Sequence, residues 1–293
     1  MIAVSRDPKF FVALAHTDTV AYFTKNINPE RRRVSNLNLF SPHMKENLLF
    51  SMSYDSAIHY DTMTSNLDPL ANCEGLSDSP PKSLFADCGA FQFRASEKPI
   101  LDNGTLLNHD VAWEYYSRKH LNSNHDWKEV LLCSPDHIIM SDMEDEEAHK
   151  RFSFIEENAE PFLKLSKQDP RVTAVGVIHG RTNKERIEQY EMFKKIGYKY
   201  VALGGMVPYS TKQNIALDIV AGIKDISNPK ISTDSILGKC RKDGMKLHIF
   251  GLNSPEWCRW WFRLNIDSFD GSKLSTEGAA NGWYWVPKDN KYE

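Results

Sequence analysis

The chain has 293 residues, 41% of them hydrophobic and 26% charged, which is enough apolar material for a sizeable core and excludes a disordered or collagen-like chain. Lys plus Arg number 36 against 39 Asp plus Glu, and the net charge of −3 excludes a globally basic nucleic-acid coat protein while leaving room for a local basic face. The longest apolar runs, such as Phe10–Ala15, fall far short of the roughly 18–20 residues that a membrane span needs. Met1–Pro8 lacks the basic-then-apolar order of a secretory leader, so a reducing, cytoplasmic setting with no membrane partner is expected.

The first eighty residues are irregular, with strand-like stretches at Lys9–Ala15 and Asn47–Ser53 and a surface loop over 61–82. From about residue 83 onward, strand-length apolar runs alternate with segments of helical periodicity. Ser83–Asp87 is followed by a helix over His109–His120 with Asn108 as its cap, and His137–Asp142 by a long helix over Glu144–Lys167. Val172–His179 precedes a helix over Asn183–Ile196 that stops before Gly197, and Tyr200–Gly205 precedes a helix over Thr211–Lys224. Lys246–Gly251 leads to Ser254, a cap, and to Pro255 at the first position of a helix running to Arg263; Asn265–Asp270 is the final strand. This rhythm of repeated βα units builds either an open doubly wound sheet or a closed barrel. A count of about eight strands favours a (β/α)8 TIM-type barrel, one domain over 1–293 with an irregular N-terminal segment.

Five cysteines, at 73, 88, 133, 240 and 258, include no Cys-x-x-Cys pair and read as reduced, mostly buried side chains; no metal and no cofactor is expected. In a barrel of this kind the active site forms at the strand C-termini, so the residues that end the apolar runs carry the information. These are Asp87, Asp142, His179, Gly204-Gly205, Gly251 and Asp270. Three carboxylates, an imidazole and glycine positions converging on one mouth suit acid/base or covalent chemistry on a flat ligand approached closely by backbone.

The words around these residues resemble a known family. Asp87-Cys88-Gly89-Ala90-Phe91-Gln92 is similar to the Asp-Ser-Gly-Gly-Phe/Tyr-Gln motif of the tRNA-guanine transglycosylases, which exchange guanine for a 7-deazaguanine base in a nucleic acid. Ser141-Asp142 looks like the family's base-reading Asp, and Ala202-Leu203-Gly204-Gly205-Met206 resembles its Val-Gly-Gly-Leu segment. Phe250-Gly251-Leu252-Asn253-Ser254-Pro255 resembles its Met-Gly-Val-Gly-x-Pro, and Ile266-Asp267-Ser268-Phe269-Asp270 resembles the Ile-Asp-Met-Phe-Asp that carries its nucleophile. The matches keep the family's order over roughly residues 83–271. His179 stands where the family has a base-reading glutamine, and residues 271–293 contain neither Cys nor His, so the zinc-binding subdomain of the tRNA enzymes is missing. The resemblance is therefore strongest to the DpdA-like DNA transglycosylases of bacteria and bacteriophages, with the compact length pointing to a phage.

The resemblance implies a DNA-guanine transglycosylase that inserts a free 7-deazaguanine base, preQ0, through a covalent sugar–aspartate intermediate. Asp270 would be the nucleophile and Asp87 the group that handles protons, the division of labour of a retaining displacement. Asp142 would bind the purine edge, His179 the base carbonyl, and backbone near Gly204, Gly205 and Met206 the substituent at position 7. Phe91 and Phe250, beside Gly251, would sandwich the ring. The target nucleotide must be flipped out or unpaired. Phosphate contacts would fall to Arg259, Arg263, Lys273, Arg181, Lys184 or the run Arg31-Arg32-Arg33; the aromatic stretches 257–261 and 283–285 would stack or, more in keeping with their density, pack. Alternatives are a zinc-less tRNA transglycosylase, a non-catalytic nucleic-acid-binding subunit and a retaining glycoside hydrolase.

Overall fold

The structure is a computed structural model that describes residues 8–14, 46–52, 81–101, 103–122 and 126–271. Arg31–Arg33, Cys73, Lys273, the aromatic run 283–285 and most of the loop 61–82 lie outside the described residues. Eight parallel strands close into a barrel: β1 Lys9–Leu14, β2 Asn47–Ser51, β3 Ser83–Asp87, β4 Glu129–Cys133, β5 Val172–Ile178, β6 Tyr200–Leu203, β7 Lys246–Ile249 and β8 Ser268–Gly271. Each pairs with the next, and β8 returns to β1 with Phe11 opposite Asp270. The expected (β/α)8 architecture is thus the observed one. No helix among the described residues is long and apolar enough to cross a membrane.

Period-two alternation sorts the strand residues into two layers. Phe11, Ala13, Leu49, Phe85, Leu131, Cys133, Val175, Val177, Tyr200 and Ala202 fill the barrel interior. Their neighbours, among them Val12, Leu48, Leu84, Val130, Leu132, Val201, Leu247 and Phe269, face the outer helices. Two residues beyond an interior apolar position comes the mouth, and there the sequence turns polar: Ser51 follows Leu49 and Asp87 follows Phe85, the two sitting side by side in register.

The helices stop and start on recognisable signals. Asn108 caps His109–Tyr116 by accepting from the Val111 N–H, Thr182 caps Asn183–Ile196 by accepting from Glu185, and Ser254 caps Pro255–Arg263 by accepting from Trp257. The first of these runs on into a π-helical turn, Ser117–Leu121. Thr211–Lys224 shortens to Gln213–Ala221, ended by Gly222 in the left-handed conformation. A second helix before β7, Ile236–Asp243, was not expected from periodicity, although Ser235 as cap and left-handed Gly244 as stop frame it.

One strand lies elsewhere than the sequence suggests. His137–Asp142 is irregular, and the fourth barrel position belongs to Glu129–Cys133, which pairs with β3 and β5. Both stretches are apolar and strand-length. Pro135 has no N–H to continue the ladder, so pairing ends before it. Ile139 is buried in the layer between strands and helices, which explains the apolar character of 137–142 without a strand.

Candidate active site

Asp87 leaves the end of β3 with Oδ2 accepting from the Ser51 hydroxyl at 2.8 Å and from the Gly89 N–H at 3.2 Å. Gly89 reaches that position with φ of 79°, which also opens the short 3-10 turn Ala90–Phe93. Asp270 rises from β8 on the opposite wall, its Oδ1 accepting from the Gly251 N–H at 2.8 Å. Gly251 has φ of 73°, the left-handed turn that aims its amide at the carboxylate.

A third carboxylate completes the mouth, and it is Asp136. Its Oδ1 accepts from the Cys88 thiol at 2.7 Å, and its Oδ2 lies 2.5 Å from His179 Nε2. Burial, then the charge of Asp136, and then that of Asp270 push Asp87 up to about 7, against the pull of its Ser51 and Gly89 bonds. Asp87 thus shares a proton with solvent near neutral pH. The same burial and the Asp136 charge hold the Cys88 thiol well above its ordinary range, so it stays a donor. Asp87, Cys88 and Asp136 each offer a ligand atom within 4.8 Å of the others, a spacing that a cation would accept, with the Cys88 thiol already donating to Asp136 Oδ1.

Asp142 does not join this cluster. It lies exposed in a turn six residues beyond Asp136, because the chain has already left the barrel wall at Cys133. The signal for Asp136 was present: it is the first carboxylate after the true fourth strand. His179 is buried and bonded to Asp136, with its own N–H donating to Gln189 Oε1 at 2.8 Å. Gly204 lies against that ring; a Cβ there would sit 2.3 Å from His179 Cε1. The Gly204 N–H donates to the Ile178 carbonyl, Gly205 has φ of 67°, and the Met206 side chain is buried.

Phe91 is 52% exposed on the rim, with the Arg94 guanidinium 4.3 Å from its ring centre. Phe250 packs edge-on against Phe85 and His248. Arg181 is committed to Glu185, Asp145 and the Met143 carbonyl. Arg259 and Arg263 are exposed on the helix Pro255–Arg263, and Arg263 sits at the end that leads back to the start of β8, away from the mouth. In the stretch 257–261, Trp257 and Trp261 are buried and stack at 5.1 Å, with indole N–H groups donating to the Ser210 and Leu252 carbonyls.

A residue that sequence reasoning missed holds the mouth loops together. Arg151, buried on the helix Asp145–Ser166, donates to the carbonyls of Arg94 and Ser96 after β3 and of Ile138 after β4, and pairs with Glu147 at 2.7 Å. His137 joins it: Nε2 faces the Ser96 carbonyl and Nδ1 the guanidinium, and burial with the Arg151 charge lowers the imidazole to about 4. One cation therefore ties the loop carrying Phe91 to the loop carrying Asp136. Arg151→Met would strip the Arg94, Ser96 and Ile138 carbonyls of their guanidinium donor, and a loss of about 2 kcal/mol is expected in urea denaturation of the variant against the parent.

No family model matches the chain. Over 197 residues it is 25% identical to a DNA-guanine transglycosylase of Salmonella montevideo, a match covering 64% of this chain and 40% of that protein. The likeness supports kinship with the transglycosylase superfamily. The chain spans less than half of that relative's length.

Proposed function

We propose that this protein is a DNA-guanine transglycosylase that replaces guanine in DNA with a 7-deazaguanine base, preQ0, by way of a covalent sugar–Asp270 ester. The observation that carries the reading is the pairing of two unlike carboxylates at one mouth: Asp270, anchored by the Gly251 amide, and Asp87, pushed up to about 7 by burial and by its neighbours. An anchored carboxylate and, at the same mouth, a carboxyl pushed up towards neutrality are what a displacement needs, one as nucleophile and one as acid.

In the first half-reaction the Asp270 carboxylate attacks C1′ of an extruded deoxyguanosine. The C1′–N9 bond breaks, its electron pair stays on the guanine, and Asp87 gives that base a proton. In the second, Asp87, now ionised, takes the N9 proton of the incoming base as N9 attacks C1′ and the ester oxygen departs with its electrons, restoring Asp270. The proton returned to Asp87 balances the cycle.

The role expected of Asp142 passes to Asp136. Each of its oxygens already accepts one bond, from Cys88 and from His179, and each keeps a lone pair for the ring N–H and the exocyclic amine that guanine and 7-deazaguanines share. His179 supports Asp136 from behind instead of meeting the base. Phe91 on the rim offers an exposed face for stacking.

DNA is favoured as the polymer by the name of the Salmonella relative. Incubation with radiolabelled preQ0 and either duplex DNA or tRNA tests this. Label is expected in DNA; label entering tRNA alone, or neither polymer, would overturn the reading.

A further inference from the structure

Below Asp270 the barrel core is not purely apolar. His248, fully buried on β7, places Nε2 3.4 Å from Asp270 Oδ1 and Nδ1 2.6 Å from the Ser268 hydroxyl. Ser268 Oγ is in turn 2.6 Å from the Tyr200 hydroxyl. Phe85, Phe250 and Phe11 surround the imidazole, with ring centres 4.3, 4.6 and 6.1 Å away. A line of polar groups, Tyr200–Ser268–His248–Asp270, thus runs up the axis of the barrel through a sleeve of aromatic rings.

Donor directions along this line follow from its two ends. Tyr200 keeps its proton, because burial raises it well above the ordinary phenol range, and among the described residues its hydroxyl meets only Ser268. It therefore donates to Ser268 Oγ, and the Ser268 hydroxyl donates to His248 Nδ1. Burial keeps the imidazole neutral, so the remaining proton sits on Nε2, facing the carboxylate. The opposite direction would aim an Nε2 lone pair at a carboxylate oxygen and leave the Tyr200 proton without an acceptor.

We propose that His248 is a positioning residue for the Asp270 nucleophile: fixed as its Nε2–H tautomer by Ser268 and Tyr200, it joins the Gly251 amide in holding Oδ1 and leaves Oδ2 as the oxygen that attacks C1′. Among the described residues nothing is bonded to Oδ2. At 3.4 Å the Nε2 contact is longer than a closed hydrogen bond, and the role requires it to tighten in the reacting complex. Among the described residues, the other titratable groups that interact with Asp270 are Asp87 from β3 and Cys133 from β4, and neither brings an N–H to Oδ1.

The inference rests on the proposed transglycosylase reading, and its test separates the two. Single-turnover formation of the denaturation-resistant protein–DNA adduct is measured with guanine-containing DNA for the wild type, His248→Phe, His248→Gln and Ser268→Ala. His248→Phe, which removes both ring nitrogens, is expected to slow adduct formation roughly 100-fold with little change in KM for DNA. His248→Gln, which keeps an N–H donor, is expected to recover most of that loss, and Ser268→Ala to fall between. Nitrogen-15 NMR of the imidazole of the unliganded protein should show the neutral Nε2–H tautomer. An Nδ1–H tautomer, or His248→Phe with the wild-type rate, would overturn the role of His248 alone. A wild type that forms no adduct would overturn the functional reading and the inference with it.

Discussion

Asp270→Asn is expected to abolish the covalent protein–DNA adduct and to lower base exchange by about ten-thousand-fold or more, while the protein still folds. The substitution keeps the size of the side chain and an oxygen for the Gly251 N–H to meet, so the turn at the end of β7 keeps its partner. What disappears is the anionic oxygen that takes C1′ from the purine. Denaturing electrophoresis of a reaction with labelled DNA reads the adduct, and circular dichroism of the same preparation reads the fold. An adduct surviving in the variant would show that another carboxylate attacks, and Asp136 is the one near enough to Asp87 to be examined next.

Asp87→Asn is expected to cost about 10²- to 10⁴-fold in exchange and to flatten its pH dependence. In the wild type the two half-reactions need opposite forms of Asp87. Adduct formation uses the protonated acid and should decline as pH rises through about 7, whereas attack by the incoming base uses the carboxylate and should decline as pH falls through the same value. Single-turnover rates of each half, measured from pH 5.5 to 8.5 (about three units around neutrality, where general acids and bases operate), would display the two limbs in the wild type and neither in the variant.

Stability carries the opposite signature. The native state raises Asp87 from the ordinary 3.8 to about 7, so it binds a proton that the unfolded chain has released. The associated stability is complete below about pH 4 and is lost as pH rises towards 7, by at most about 1.4 kcal/mol per unit and less where the mouth admits water. Asp87→Asn removes this term. Its melting temperature relative to the wild type should therefore climb between pH 5 and pH 8, a trade of activity for stability common to strained active sites.

Much of the architecture was legible along the chain because each strand is a short apolar run and each connection a capped helix, and both are local patterns. Asn183–Ile196 and Pro255–Arg263 have the boundaries that Gly197 and Ser254 announce. Asp87 and Asp270 could be singled out for the same reason, since each directly ends an apolar run on the interior parity of its strand. The fourth strand was not legible in that way. Two apolar segments four residues apart compete for one barrel position, and local pattern assigns them equal merit. Hydrogen bonding of Glu129–Cys133 to both β3 and β5 decides between them, and that decision moves the third mouth carboxylate from Asp142 to Asp136.

The sequence by itself therefore determined the repeated βα rhythm, a count of about eight strands that favoured a closed barrel, and two of the three carboxylates at the mouth. Tertiary structure alone decided that Asp136 meets Cys88 and His179, that Arg151 stitches two mouth loops together, and that Tyr200, Ser268 and His248 line up beneath Asp270. The physical reason is one of range. Alternation and capping act over a few residues and can be read in order, whereas these polar groups choose partners 13 to 68 positions apart in the chain, where only the closed fold brings donor and acceptor together.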